Sequence, residues 1–149
     1  MESIVSLYRY YLMAARMRAH FRQALGSDPW LERMHKAPQF AGYLLTVDAC
    51  AVYMTLWYGT LFVLIEGWQK LDLKDARIDF LLQSGNVELL KHYRNGTFHF
   101  HRGLVSPICR KIMTSEDQVE WTERVSDAFK EYFDDVTRTR EFMQAAKKA

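Results

Sequence analysis

Ala49 to Ile65 is a run of seventeen residues without a charged side chain, and in a chain of 149 residues it leaves few folds open. The run is too long for one strand, and its apolar positions fall on all sides of a helix rather than on one stripe. A helix of this kind is covered either by lipid or by other helices. At about 1.5 Å per residue its length sits near the lower limit for crossing a bilayer. Thr46, Asp48, Thr55 and Thr60 interrupt the apolar character, Glu66 closes the run, and Lys36 and Lys70 flank it without the asymmetry that orients a span. The expectation is therefore a buried helix over 39–70 at the centre of a soluble bundle, with no membrane partner.

The other segments supply the cover. Ile4, Leu7, Tyr8, Tyr11, Leu12, Ala15 and Ala19 recur at helical spacing over 3–25, and Gly26-Ser27-Asp28-Pro29 ends that helix. Short helices are expected over 74–83 and 87–101, separated by Ser84-Gly85-Asn86, with a further turn from Pro107 to Met113. Ser115-Glu116-Asp117-Gln118 reads as a capping box: the serine accepts from the third amide and the glutamine reaches back. It opens a last helix with Trp121, Val125, Ala128, Phe129, Tyr132, Val136 and Phe142 on one side. No alternating strand pattern or internal repeat is present. The fold expected is all-α, an up-and-down bundle of four or five main helices forming one domain over 1–149, and 14% aromatic residues with three prolines suit a packed helical core.

Charge is unevenly spread. Residues 86–113 carry Lys91, Arg94, Arg102, Arg110 and Lys111 against Glu88, and residues 1–27 carry Arg9, Arg16, Arg18 and Arg22 against Glu2. The last 35 residues are net acidic, while the whole chain is only +2. Positive charge thus gathers in two segments that could attract an anion such as RNA. Cys50 and Cys109 have no metal-ligand spacing and read as core filling in a reducing, cytoplasmic setting. Arg9, Arg16 and Arg18 break up the N-terminal apolar positions, which argues against a signal peptide. His20 and His35 read as surface or turn residues.

The chemistry concentrates in Lys91-His92-Tyr93-Arg94-Asn95-Gly96-Thr97-Phe98-His99-Phe100-His101-Arg102, which holds three imidazoles and three cations without a carboxylate. Arginine grips phosphate oxygens bidentately, and histidine moves protons near neutral pH. That combination suits phosphodiester chemistry without a metal. Histidines at alternate positions diverge on a helix, so His92, His99 and His101 do not form a metal site; no cofactor is expected. The core of the run, Arg94-Asn95-x-x-x-His99, resembles the motif of HEPN domains, small all-helical modules that often act as endoribonucleases. A hydrophobic helical pattern before the motif and a long apolar helix upstream add to the likeness, which spans residues 40 to 145 at the level of helix order.

The resemblance implies Arg94, Asn95 and His99 as catalytic residues at a composite site in a homodimer. His99 would act as general base or acid, Arg94 would hold the scissile phosphate, and Asn95 would orient the pair. On a continuous helix Arg94 and His99 lie about 140° apart, so a two-fold axis is the economical way to bring them into one cleft. His92 shares an azimuth with His99, and His101 shares one with Arg94, which makes both supporting candidates. Asp48 and Glu66, eighteen residues apart, share another azimuth on the central helix. Buried carboxylates need cationic partners, and Arg94 with the histidines could serve. Where some HEPN toxins carry a tyrosine two residues after the histidine, this chain has His101, so neutralisation by nucleotide attachment there is not implied. The rival reading is a non-catalytic helical module that binds RNA or a protein partner, as one half of a toxin–antitoxin or defence system.

Overall fold

The computed structural model describes residues 2–27, 49–100 and 115–135, together with 102, 107, 111, 112, 143, 144 and 147. Five helices make up this part: α1 (Glu2–Ser27), α2 (Ala49–Lys70), α3 (Ala76–Leu81), α4 (Asn86–Phe98) and α5 (Glu116–Asp134). They form an all-α, up-and-down bundle around α2. Half of α2 is buried, including Trp57, Tyr58, Leu61, Phe62, Leu64, Ile65 and Trp68. This helix is long and apolar enough to cross a membrane by length and composition, and 56% of its most apolar window is buried inside the bundle.

α1 runs antiparallel to α2. Leu7 sits against Gly67 at one end, and Phe21 meets Trp57 while His20 stacks on Tyr53 toward the other. α5 covers a second side: Trp57 Nε1 donates to Ser126 Oγ at 3.1 Å, and the Trp68 ring meets Phe129 and Tyr132 edge-on. The short α3 is clamped by two indoles, Trp68 Nε1 donating to Asp79 and Trp121 Nε1 to the carbonyl of Leu81. α4 lies across the remaining side.

Local chemistry explains several helix ends. α2 stops where Asp72 takes a left-handed φ of 51°, with Leu73 N–H donating to Trp68 O and Asp72 N–H to Gln69 O. That is the Schellman arrangement, here with aspartate in the place usually held by glycine. Asp75 caps α3 by accepting from the amides of Arg77 and Ile78. Ser115 caps α5 by accepting from the Gln118 amide at 3.3 Å. The returning half of the expected capping box is not made, because the Gln118 side chain is fully buried in the core and both its amide atoms lack partners.

Other expectations are adjusted as well. α4 ends at Phe98 rather than running to 101, so His99 is its C-cap, with φ −111° and ψ 140°. On α1, Leu12 and Ala19 face solvent, and the inward side carries Leu7, Tyr11, Ala14 and Arg18. Arg18 is only 7% exposed. It donates to Glu123 and to Asp127 at 2.7 Å, and its guanidinium lies 5.6 Å over the Trp57 ring. The start of the predicted 39–70 helix, Asp48, His35, Cys109, Val136 and Phe142 lie outside the described residues; Cys50 is buried.

Two predictions follow from the packing. A Cβ on Gly67 would stand 2.5 Å from the buried Cδ1 of Leu7, whereas one on Gly59 would meet the ring of half-exposed Phe98, which has room to swing outward. Alanine gains about 1 kcal/mol over glycine inside a helix, and overpacking costs about 1–3 kcal/mol. Denaturant midpoints should therefore fall for Gly67→Ala and hold or rise for Gly59→Ala; the reverse order would refute the contact. The second concerns acid. Lys130, then Tyr11, hydrogen-bonds the Asp134 carboxylate and holds its carboxyl below the ordinary value. A group depressed in the folded state stabilises above its unfolded pKa of about 3.9, and that stability fades as pH falls through the folded value. Tyr11→Phe should be less stable than wild type by about 1 kcal/mol at neutral pH. The gap, measured by denaturation across a pH series, should narrow below about pH 4.

Candidate functional site

α4 is anchored by Tyr93. Its ring is buried and packs edge-on against Tyr58 at 5.5 Å, and its hydroxyl shares a 2.8 Å hydrogen bond with Thr55 Oγ1. Burial raises the Tyr58 phenol well above its ordinary pKa, so its hydroxyl stays neutral. With Tyr93 pointing into the core, the next two residues turn about 100° and 200° away. Arg94 and Asn95 therefore come to the margin of the helix, each half-buried.

The Arg94 guanidinium lies 5.8 Å from the centre of the Phe62 ring, and its Nη1 donates to Asn95 Oδ1 at 2.8 Å. Among the described residues no carboxylate pairs with it. A guanidinium carries five donors in a planar fork, so one bond to a neutral amide leaves most of that fork available to an anion. Asn95 and Phe62 fix the plane of the group without neutralising it.

Phe98 closes α4 with its ring over the bare backbone of Gly59; an added Cβ there would lie 2.4 Å from Cε2. His99, next in the chain, has extended backbone. His99 is exposed and hydrogen-bonds to neither Arg94 nor Asn95, and Phe100 is 93% exposed. Arg102 is exposed too. The structure thus brings Arg94 and Asn95 together and leaves His99 just past the helix end, freed from the helical azimuth. His92 is exposed on α4, beside Lys91, which pairs with Glu88 at 3.3 Å.

The supporting acids sit elsewhere or out of view. Glu66 pairs with Lys70 at 3.5 Å and lines a groove with Ser3, Leu7 and Tyr10 of α1. Asp48 and His101 lie outside the described residues. No group of three histidine, cysteine or acidic side chains converges among the described residues in a way that could hold a metal ion.

Phe62, Phe98 and Phe100 are the site features that residue chemistry alone did not single out. The alternation Phe98-His99-Phe100-His101 has the period of two of extended backbone and was the available signal that the helix stops before His99. Comparison with family models, with curated proteins and with solved structures finds no significant match to this chain.

The contrast between buried Arg18 and half-buried Arg94 can be measured. Arg18→Ala takes the guanidinium away from Asp127 and the Trp57 ring, leaves Glu123 with Arg22, and should cost about 1–3 kcal/mol. Arg94→Ala removes only an amide contact and a ring contact, and should cost less than about 1 kcal/mol. Urea denaturation of both variants tests this; a large loss for Arg94→Ala would make that residue a structural tie.

Proposed function

We propose that this chain is a metal-independent endoribonuclease of HEPN type, acting as a homodimer in the cytoplasm on single-stranded RNA. The observation that carries the reading is the state of Arg94: oriented by Asn95 and Phe62, facing no carboxylate among the described residues, within a segment of net positive charge. An arginine that served mainly to tie helices would be expected to meet an acid, and Glu66 is paired with Lys70 instead. The likeness to HEPN domains itself rests on Arg94, Asn95 and His99 and on helix order.

In the proposed reaction the ribose 2′-oxygen attacks the adjacent phosphorus while an imidazole takes its proton, and the bond to the 5′-oxygen breaks as that oxygen gains a proton. Arg94 stabilises the charge growing on the non-bridging oxygens. Asn95 keeps the guanidinium in plane. Proton removal and proton donation fall on opposite sides of the phosphorus, which calls for two imidazoles. His99 and the partner subunit's His99 would supply them across a two-fold axis. Exposed Phe100 offers a face on which an unpaired base can stack. The products are a 2′,3′-cyclic phosphate and a 5′-hydroxyl.

Wild type and His99→Ala, incubated with labelled RNA and labelled DNA in EDTA, test the proposal. RNA should be cut by wild type and DNA spared, since DNA lacks the 2′-hydroxyl. His99→Ala should lose about 10²-fold or more in rate, because general acid–base catalysis contributes about that much. Equal cutting by both proteins would point to contamination. Retained RNA binding with no cutting by wild type would assign the chain to the non-catalytic binding class.

A further inference from the structure

α1 and α5 touch at two polar clasps with a space between them. At one, Arg18 reaches Glu123 and Asp127; at the other, Tyr11 donates to Asp134 at 2.8 Å and stacks on Phe133 at 4.7 Å. The two α1 residues are seven apart, about 10 Å along the helix. Between the clasps lies a cavity of about 260 Å³ walled by all three long helices, with Ala14 and Ala15 facing Leu61, Leu64 and Phe129. We infer that this cavity is a binding site for a small, uncharged, apolar molecule, a function independent of the Arg94 site.

Two physical arguments select that occupant. The first is charge. The ionised groups at the cavity and its mouth form closed sets: Arg18 and Arg22 with Glu123 and Asp127, and Lys130 with Asp134. The polar atoms of the wall are also engaged, since Trp57 Nε1 donates to Ser126 Oγ and Ser126 Oγ donates to Thr122 O at 2.9 Å. An anion or cation would have to displace an existing partner, and water would find few bonds to make. The second is volume. Native interiors pack to crystal-like density, and an apolar cavity of about 150 Å³ already stays dry and takes up benzene. The space here fits a substituted aromatic ring or a branched hydrocarbon of similar bulk.

The test uses the full chain with p-xylene and, as its charged counterpart of like size, p-toluate. p-Xylene should raise the melting temperature in proportion to the logarithm of its concentration above Kd, and p-toluate should not. Ala15→Phe, which fills the cavity from α1, should abolish the shift. If that variant fails to fold, Ala15→Leu should weaken it, and nuclear Overhauser contacts from xylene protons to the methyls of Ala15 and Leu64 should appear in wild type. The inference is overturned if wild type shows neither a shift nor those contacts, if p-toluate stabilises as well as p-xylene, or if filling the cavity leaves xylene binding unchanged.

Discussion

The broad apolar face of α2 is the constraint from which the rest of the bundle follows. Trp57, Tyr58, Leu61, Leu64, Ile65 and Trp68 fall within an arc of about 120° on one helix, and each is 2% exposed or less. Several neighbours share the cover of that broad face. α1 takes one flank along its length, α5 a second, and α4 a third. The two indoles carry the covering helices into register as well as covering area: their N–H groups need acceptors once buried, and they find them on α5 and α3. Glycine appears where the cover comes closest, Gly67 under Leu7 and Gly59 under Phe98.

Seen this way, the polar ties between α1 and α5 have a definite task. These two helices meet over α2 through the Tyr8 and Tyr11 rings on Phe133, and Arg18 and the Tyr11 hydroxyl add directional ties at two points. Taking a guanidinium out of water is costly, and two carboxylates plus the Trp57 face offset that cost. Glu123 also accepts from Arg22 at 2.7 Å, so one acid serves two cations. Directional bonds at two points fix spacing in a way that nonspecific apolar contact would not, and the unfilled volume between them is a consequence.

How much of this was legible from residues depends on whether the signal is local. The burial of α2 is written in its composition, and Asp75 and Ser115 cap helices because a side-chain oxygen can reach an amide two or three residues on. The reach-back of Gln118 fails for a nonlocal reason: the same side chain lies on the face α5 turns to the core. The inward turn of Arg18 is invisible for the same reason, since its acids are more than a hundred residues away. At the site, Arg94 and Asn95 were legible as neighbours in chemistry, while the partner ring Phe62 and the seat of Phe98 on Gly59 depend on how α4 crosses α2.

The early end of α4 changes what the site requires. On a helix running through residue 101, the 140° between Arg94 and His99 would itself demand a second protomer. With His99 in extended backbone, its direction is set by ψ of the cap rather than by helical rotation. The case for a dimer then passes from azimuth to proton bookkeeping. An in-line displacement at phosphorus needs a base at the entering oxygen and an acid at the leaving one, on opposite sides of the same atom. One imidazole on one short tail cannot occupy both positions at once. The release of His99 from the helix gives the proposed site reach, and in the proposed homodimer the second imidazole comes from the second copy.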